Sequence, residues 1–572
     1  MRIKLGPTAA ALVLCLSFAA PAGAAEPSAP EFKTEIDHFL DQLGADTQGI
    51  VKWEGADHVD LRMEGDAAIA DFTNARISIG AEPNKATAKR AAVTFDHVEV
   101  RRTPAPDGAS KLAFVLPQNA VLKAPDHAAI NLTLKDATAS ATIDAGSGRV
   151  RASELAFAGA RIDDKASGDW VSFGPLASSY KIVAGPNGSW AGPIAFELQK
   201  VEFFATQGPT SGAIDRIAYD ARSAGPDLVA LNKLRDRLDA LRRQDLPPDK
   251  RLDASLELLP SIMAMFSEAK GELTLAGLTV RASGGSPLVA LKKASLGGAL
   301  TGLSGESAAL RITLQHDGLS VAPTLLDPGK VPQRAKLDFG LENVGTAALR
   351  NILEAASKMR AAASEPDKQQ AQQQAVAAAA TLKPVLRVYD LAVDTNDVGI
   401  SGKGEAKGSP LSPLGYSAEG DVAVRGFDAL AGLVGNAPPA AYLPLLQEIG
   451  TPAKADDGSK RLNFHLASTL QKLITVNGND VTAWFAGGGP APGQPRDLRP
   501  AAPAMSGADV VAVQHALAAA HIAAPQTGNY DGATAAAVAR FQKANALNVD
   551  GVVDQATRQK LGVKPVATPG AN

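Results

Sequence analysis

The side chains that could carry chemistry are few and scattered in this sequence. Its 572 residues include eight histidines and one cysteine. A hydrolytic zinc site needs histidine and carboxylate ligands at short, regular spacing, and the sequence contains neither His-Glu-x-x-His nor His-x-x-x-His. We therefore predict no metal site and no cofactor. The histidines are His38, His58, His97, His127, His316, His465, His515 and His521.

Nucleophilic catalysis is not indicated either. The only cysteine, Cys15, lies in an N-terminal segment that we expect to be removed, so the mature chain would have no thiolate nucleophile. The glycine-rich stretches 284–286 and 402–404 are typical of turns at strand ends and not of a strand-to-helix nucleophile turn. A glycosidase needs only two carboxylates. We predict no catalytic residues, and a carboxylate-dependent hydrolase is the alternative.

The first 25 residues have the pattern of a secretory signal peptide. Arg2 and Lys4 precede an apolar stretch at 9–20, and Ala22-Gly23-Ala24 is typical of a cleavage site. We predict export and a periplasmic location. No later stretch has the roughly 18 consecutive apolar residues of a membrane-spanning helix, so we expect none in the mature chain. A formal net charge of -3 with 20% charged residues excludes a polybasic nucleic-acid binder.

Residues 26–485 form a long body whose hydrophobic pattern is mainly that of β-strands. Apolar and polar residues alternate in period two, for example along 310–314 and 337–341, as in half-buried antiparallel strands. The predicted fold class is α+β multidomain. It combines a large β-rich antiparallel body, which contains a few long helices, with a small all-α three-helix C-terminal domain.

A phase-changing pattern recurs in the body, with apolar residues at n, n+2, n+5 and n+7 around a mostly polar pair. Because side chains alternate faces along a strand, an extra residue in mid-run requires a bulge or a bend. The pattern predicts a long, bent or coiled sheet, and chance matches are the alternative. It occurs at 93–100, 132–139, 150–157, 196–203, 273–280 and 386–393.

Three helical segments interrupt the strands. The first, 32–43, has its apolar residues on one stripe, and we expect it to cap the sheet. The second runs from 227 to about 270 with a break at Pro247-Pro248. The third spans about 346–382, and Pro366 divides it.

In these patterns the body resembles the β-rich periplasmic proteins of the AsmA-like and YdgA-like kind, which combine long repetitive sheets with occasional amphipathic helices. Helix-to-strand units such as 349–402, and Val476-Asn477-Gly478 near the end, carry the resemblance. It implies a role in maintaining the bacterial cell envelope. For the body it implies a lipid or another apolar ligand in a hydrophobic groove.

A change in composition separates the body from the C-terminus. Residues 486–504 are rich in Gly, Pro and Ala, which predicts a flexible to semi-extended linker with nothing to bury. Residues 505–562 have a helical pattern that predicts three short helices, and a disordered tail follows at 563–572. We expect the segment 504–563 to fold on its own.

Two related loops precede the last two helices. Each has a glycine that allows positive φ and, three residues later, an Asp at the helix N-cap position. This segment resembles the peptidoglycan-binding domain that is appended to many cell-wall enzymes. The resemblance covers 508–561 and implies peptidoglycan as the partner. Its motif residues are Gly528, Asp531, Thr534, Phe541, Gln542, Gly551, Asp554 and Thr557.

The candidate contacts to peptidoglycan are residues near these loops that we expect to be exposed: Asn529, Tyr530, Arg540, Asn548 and Asp550. Phe541 and Val538 are predicted to be core residues, whereas Gln542 fits either role. The acidic and basic residues of the domain balance, so binding would depend on hydrogen bonds and shape and not on bulk charge. The overall prediction is a non-enzymatic envelope protein, and a glycosidase-type cell-wall hydrolase is the alternative.

Overall fold

The computed structural model describes two compact units of this chain. Unit 1 comprises Met1–Leu325 and Gly345–Leu382, and unit 2 comprises Leu326–Val344 and Lys383–Asn572. The described residues are Phe32, Ile36 and 51–564, except 80–89, 106–107, 124–129, 145–149, 165–166, 207–209, 245–246, 363, 410–414, 435–441, 456–457, 469–473, 485–495 and 502–503. The predicted signal peptide at 1–25 and the tail from 565 lie outside them.

Unit 1 contains a long antiparallel sheet. Its strands are β1 (Val51–Gly55), β2 (His58–Glu64), β3 (Ala67–Ile79), β4 (Ala91–Pro104), β5 (Ser110–Val115), β6 (Asn119–Lys123), β7 (Ile130–Lys135), β8 (Thr138–Ile143), β9 (Val150–Phe157), β10 (Gly159–Asp163), β11 (Trp170–Phe173), β12 (Leu176–Lys181), β13 (Val183–Ala184), β14 (Trp190–Ala205), β15 (Thr210–Gly225), β16 (Glu268–Arg281), β17 (Pro287–Thr301), β18 (Ser307–Asp317) and β19 (Ser320–Val321).

The rows of this sheet are filled either by one long strand or by two short strands placed end to end. β1 and β2 both pair with β3, and β4 pairs with β3 on one edge and with β5 and β6 on the other. The next rows are β7 with β8, β9 with β10, and β11 with β12. The last rows are β14 to β18 in order. Two half-sheets therefore share one line of irregular positions, which we call the crease.

Backbone geometry marks the crease in both kinds of row. In the long strands it falls at Asn74, Lys200 and Gly277, whose φ angles are +53°, +51° and +66°. Between short strands, the sheet stays hydrogen-bonded across the junction, for example from Ala158 N to Lys135 O at 2.8 Å. In each row, one residue interrupts the alternation of side chains between the two faces of the sheet. The two half-sheets can therefore keep their apolar side chains on the same face.

The crease confirms the predicted change of phase in most of the six places. In β4, Asp96 and His97 are both exposed between buried Phe95 and Val98. The pattern also coincides with the β7–β8 junction, with Lys200 in β14, with Gly277 in β16, and with a register shift between Val388 and Leu391 in unit 2.

The prediction was wrong for 150–157. Ser153, which was expected to point away from the core, is buried, whereas Ala152 is only half-buried. The physical reason is that the irregularity lies at the start of β9, where the register shifts opposite Thr142 and Ile143. The crease itself crosses this row at Ala158, between β9 and β10.

The helices of unit 1 agree with the predicted breaks. They are α1 (Leu228–Arg243), α2 (Pro248–Met265), α3 (Thr346–Ala361) and α4 (Glu365–Thr381), with a 3-10 turn at Pro186–Gly188. α2 ends before the predicted limit of about 270 because β16 begins at Glu268 and pairs with β15. Of the predicted helix 32–43, the described residues Phe32 and Ile36 are helical and buried in the core of β3 to β10.

Unit 2 contains a second group of antiparallel strands and the C-terminal helices. In sheet order β20–β21–β22–β23–β25 are neighbours, β24 and β26 pair with β25, and β27 pairs with β26. These strands are β20 (Arg334–Gly345), β21 (Val385–Asp394), β22 (Gly399–Gly408), β23 (Tyr416–Arg425), β24 (Thr451–Lys454), β25 (Lys460–Ser468), β26 (Thr475–Val476) and β27 (Asn479–Asp480).

The helices of unit 2 fall into two groups, one beside the sheet and one at the C-terminus. They are α5 (Phe427–Val434), α6 (Leu443–Ile449), α7 (Ala508–Ala519), α8 (Gly532–Ala544) and α9 (Gln555–Leu561), with 3-10 turns at Pro328–Lys330 and Thr482–Trp484. Short strands β28 (Met505–Ser506) and β29 (Asn529–Tyr530) pair beside α7. The predicted fold class is therefore confirmed. None of the described helices is long and apolar enough to cross a membrane.

Candidate functional site

The C-terminal domain, residues 505–562, is organised by two loops of the same design. Gly528 and Gly551 have φ angles of +72° and +65°, a region that L-residues rarely adopt. The Asp531 and Asp554 side chains each accept the backbone N–H of the threonine three residues later, at 2.8 Å. The loops therefore act as predicted, turning the chain and capping the helix that follows.

Gln514, on α7, holds the first loop. Its side chain is fully buried. Its Oε1 accepts the N–H of Gly528 at 2.9 Å, and its Nε2 donates to Asn529 O and Thr534 Oγ1, each at 3.0 Å. A single buried amide thus binds a glycine N–H, a carbonyl and a threonine hydroxyl of the same loop.

Gln542, on α8, makes the same set of bonds to the second loop. Its Oε1 accepts the N–H of Gly551 at 2.8 Å, and its Nε2 donates to Val552 O at 2.9 Å and to Thr557 Oγ1 at 3.2 Å. The structure thereby assigns Gln542 a structural role. The structure extends the predicted similarity of the two loops to the glutamines that hold them, Gln514 and Gln542.

Tyr530 does not lie on the surface. The prediction that it is exposed was wrong, because its side chain is 0% exposed and its hydroxyl donates to Gly551 O at 2.8 Å. Burial raises the pKa of this hydroxyl well above its usual value, so it stays a donor. Phe541 and Val538 are buried, as predicted.

Asp550 is also buried, which contradicts the prediction of exposure. Only 8% of the residue is exposed. Its Oδ1 accepts from Gln542 Nε2 and from Val552 N, both at 2.8 Å. Burial raises the pKa of Asp550 to about 6, although these donors favour the ionised form. Asp550 therefore shapes the second loop.

The other three candidate residues reach the surface. Asn529 and Asn548 are exposed, and Arg540 is half-exposed. Asn548 is paired with the backbone of Asp480, whose N–H it accepts and whose O it donates to, both at 2.8 Å. Arg540 Nη1 donates to Glu448 Oε1 at 2.6 Å. Two of the three therefore bind residues outside the 505–562 segment.

The end of the predicted linker is bound to the domain. Residues 485–495 and 502–503 lie outside the described residues, but Leu498 is buried and forms a β-bridge with Val553. Arg496 Nε and Nη2 donate to Asp509 at 2.7 and 2.9 Å. The prediction that this linker buries nothing was therefore wrong at Leu498, whose single apolar side chain gave no periodic signal in a Pro-rich segment.

The domain also shares a hydrophobic core with the rest of unit 2. Leu445 of α6 is fully buried, and a Cβ built on Gly551 would lie 2.7 Å from its Cδ1. Val481 belongs to the same buried cluster. Trp484 Nε1 donates to Asp550 O at 2.8 Å. The three helices thus pack on α6 and on residues 474–484 that precede the linker.

An open pocket lies between α6 and the domain. Its volume is about 330 Å³, and its walls come from α6, from the loop 523–525 and from α8. Glu448 and Arg540, which form the ion pair described above, both line it. This size is at the lower end of small-ligand sites.

Comparison with known families identifies the three-helix segment. Residues 506–561 match the family model described as putative peptidoglycan binding domain. This match confirms the predicted resemblance and supports cell-wall binding. No curated protein and no solved structure matches the chain. The resemblance of the body to AsmA-like and YdgA-like proteins has no support from these comparisons.

A second candidate site lies in unit 1, away from the peptidoglycan-binding domain in sequence. Across β14 to β18 a ladder of directly paired residues has apolar side chains on one face. Four of its members are between 39% and 48% exposed. The ladder consists of Phe196, Tyr219, Leu273, Leu296 and Leu314.

The paired residues beside this ladder are also apolar. The next set, Leu198, Ile217 and Leu275, is directly paired across β14 to β16. Leu278, beyond the crease, pairs with Leu291. Leu275 and Leu278 are half-buried. Exposed apolar side chains that adjoin one another in this way are a candidate binding surface.

No group of three or more His, Cys, Asp or Glu side chains that could hold a metal occurs in the part of the chain that the structure describes. The adjacent pairs Asp57-His58 and Asp96-His97 are exposed on strands or their ends. Asp57 accepts from Asn74 and Arg76, and His97 lies 3.3 Å from Asp71. These pairs belong to surface ion-pair networks of β1 to β4.

Proposed function

We propose that this protein is exported to the periplasm and held at the cell wall by its peptidoglycan-binding domain, with a body that acts without catalysis. The family match of residues 506–561 carries the proposal. The two loops support it, because the motif residues Gly528 and Gly551 form the turns, and Asp531 and Asp554 the helix caps, that the sequence predicts for them.

The attachment to the wall would be rigid for unit 2. Leu445, Val481 and Leu498 pack in the same core as the three helices, so we expect the domain to keep one position relative to the strands and helices of unit 2 that precede it. A protein held in this way keeps a fixed orientation of unit 2 at the wall, whereas a free linker would leave that orientation open.

Sedimentation with purified sacculi tests the wall-binding role. The chain from residue 26 should pellet with sacculi and be released by soluble peptidoglycan fragments. Because the domain has balanced charges, added salt should change the bound fraction little. Hydrogen exchange in the bound state should show new protection in 504–564. A folded protein that stays in the supernatant, or protection confined to 51–325, would refute the proposal.

Export has its own test. Fractionation of cells that express the full chain should place the protein in the periplasm, and mass spectrometry of its N-terminus should show cleavage close to Ala24. A cytoplasmic protein with an intact N-terminus would contradict the predicted signal peptide.

A glycosidase-type hydrolase is the alternative for the body. Sacculi incubated with the protein should release no new reducing ends beyond the background without protein. Release in proportion to protein concentration would establish the hydrolase, and neutralisation of each exposed carboxylate in turn would then locate its site.

We propose in addition that the exposed ladder in unit 1 binds the acyl chains of a lipid. The ladder and the paired residues beside it have mainly aliphatic side chains. The four exposed members of the ladder lie on adjacent strands. At about 4.8 Å between strands, five strands give the ladder a length of about 19 Å. An extended hydrocarbon chain matches such a surface, since it needs no hydrogen-bond partners.

A matched pair of variants on β18 tests this ligand. Leu314 is a member of the ladder, whereas the adjacent Thr313 points to the opposite face of the sheet. Leu314→Asp should abolish saturable uptake of a fluorescent fatty acid, and Thr313→Asp should leave it unchanged. Absence of saturable uptake by the parent protein, or equal uptake by both variants, would refute the lipid ligand.

A further inference from the structure

The pocket between α6 and the peptidoglycan-binding domain has features that the family match does not account for. Only part of its wall belongs to the matched residues 506–561, because α6 supplies Pro444, Gln447 and Glu448. The domain alone would therefore lack one wall of this pocket. Any ligand that fills it contacts both α6 and the domain.

The pocket combines small apolar walls with both signs of charge. Ala524, Pro525 and Ala533 form part of its surface. The only charged side chains that line it among the described residues are Glu448 and Arg540. Such a wall with a few converging polar groups is typical of a site that selects its ligand by charge placement.

The Glu448–Arg540 pair remains open to solvent. Its atoms Oε1 and Nη1 are 2.6 Å apart, and the side chains are 27% and 41% exposed. Arg540 is also held in place, because its Nη2 donates to Ala523 O at 2.9 Å. A half-exposed ion pair contributes little stability, so its two charges can exchange partners with a ligand at small cost.

We propose that this pocket binds the stem peptide of peptidoglycan. This inference rests on the proposed wall-binding function and specifies the part of the polymer that is recognised. Arg540 pairs with a carboxylate of the peptide, and Glu448 pairs with an ammonium group. The peptide carries both groups, whereas the N-acetylated sugars offer no ammonium. Small methyl side chains of the peptide fit against the alanine and proline walls.

The test uses the chain from residue 26 and the disaccharide peptide that a muramidase releases from sacculi. Calorimetric titration should show binding, and the same disaccharide without its peptide should bind at least about tenfold more weakly. Glu448→Gln and Arg540→Gln should each weaken the affinity for the disaccharide peptide by about tenfold or more, since each removes a charge-assisted hydrogen bond. Lys560→Gln, at an exposed site on α9, should leave the affinity unchanged.

A charge exchange separates recognition from a purely structural role. The double variant Glu448→Arg with Arg540→Glu restores an ion pair between α6 and α8 but reverses its polarity across the pocket. Apart from the loss of the Arg540 Nη2 bond to Ala523 O, its stability should be close to that of the parent, and it should still fail to regain affinity for the disaccharide peptide. Recovery of parent affinity in this double variant would overturn the proposal, because it would mean that the pair only joins the two helices.

The remaining outcomes distinguish this inference from the wall-binding function. If the single variants pellet with sacculi and bind the disaccharide peptide as the parent does, the pocket is not the site, and wall binding stands. If the peptide-free disaccharide binds as well as the intact compound, the stem peptide is not the recognised part. If the parent binds neither sacculi nor the disaccharide peptide, both proposals fail.

Discussion

Leu445 on α6 lies directly over Gly551 in the second loop of the peptidoglycan-binding domain. A Cβ on Gly551 would be 2.7 Å from Leu445 Cδ1 and 2.9 Å from the carbonyl oxygen of Ala535. Gly551 also has a φ of +65°. The loop glycine therefore has two functions: it allows the turn, and it leaves room for a side chain from outside the domain.

Replacement of the two loop glycines should separate these functions. A Cβ on Gly528, where φ is +72°, would have Val511 Cγ2 as its nearest neighbour, at 3.4 Å. Gly528→Ala should cost about 1 kcal/mol through backbone strain alone. Gly551→Ala should cost about 1–3 kcal/mol more, because the methyl group overpacks the core. Urea unfolding followed by tryptophan fluorescence measures both.

A second substitution checks the cause of the larger effect. Leu445→Ala removes the side chain over Gly551, so the double variant with Gly551→Ala should be more stable than the sum of the single effects predicts. Strict additivity would show that the close approach to the carbonyl of Ala535, and not Leu445, limits the site.

Leu445→Ala by itself should destabilise the whole of unit 2. The side chain is fully buried in the cluster that contains Val513, Phe541 and Val553, and such truncations cost about 2–5 kcal/mol. The C-terminal helices and the strands β20 to β25 should then unfold together at a lower temperature. Calorimetry of the parent and the variant measures the transition.

The excised segment 504–563 provides the complementary measurement. It lacks Leu445, Val481 and Leu498, which pack against its core in the full chain. It should therefore unfold at a lower urea concentration than the same helices do in the full chain. Hydrogen exchange of the helix amides at increasing urea concentration measures both. Equal stability would support the expectation from the sequence that the segment folds on its own.

Gln542→Leu should be among the most damaging substitutions in the domain. It removes the acceptor for the Gly551 N–H and the donor to Val552 O and Thr557 Oγ1, all of which are buried. Each buried group without a partner costs about 1–3 kcal/mol. The control is Gln559→Leu, at an exposed position on α9, which should change the free energy of unfolding little. Similar losses in both variants would contradict the role of Gln542.

Asp550 should make the stability of unit 2 depend on pH. Burial raises its pKa from 3.8 to about 6 in the folded protein. Folding therefore favours the protonated carboxyl group. The stabilisation of the folded state that results is fully present below the pKa of the unfolded chain, 3.8, and is lost as the pH rises through about 6. The loss should be on the order of 3 kcal/mol. Denaturant unfolding at several pH values from about 4 to 8 measures it.

Asp550→Asn serves as the reference for that pH dependence. The variant cannot ionise at this position, so its free energy of unfolding should lack the component that the parent loses between about pH 4 and 6. It should also show a constant offset, because the amide NH2 that replaces Oδ2 cannot accept the hydrogen bond that Asn548 Nδ2 donates, 3.0 Å away. Parallel pH profiles for parent and variant would assign the dependence to another group.

Local patterns in the sequence were sufficient for much of the fold. Alternation of apolar residues predicted the strands, and the change of phase around Asp96 predicted the crease in β4. Pro247-Pro248 and Pro366 predicted where the helices break. The loops of the C-terminal domain were predictable because Gly528 and Asp531 act on backbone within three residues of themselves.

The exposure of the candidate site residues was not predictable in the same way. Tyr530 and Asp550 are polar residues beside loops, which is typical of surface positions, but both are buried through contacts with Gly551 and Gln542. Asn548 and Arg540 reach the surface, yet they bind Asp480 and Glu448, far away in the sequence. Sequence spacing carries no information about such partners.

The sequence by itself thus determined the class of each element, the repeat of the two loops and the kind of domain at the C-terminus, because these depend on residue type and short-range spacing. Only the tertiary structure decided that Leu445 and Leu498 complete the core of that domain and that α6 forms one wall of its pocket. Burial and charge pairing across long stretches of chain follow from how the elements pack, and a single apolar or acidic residue gives no local sign of the partner it will meet.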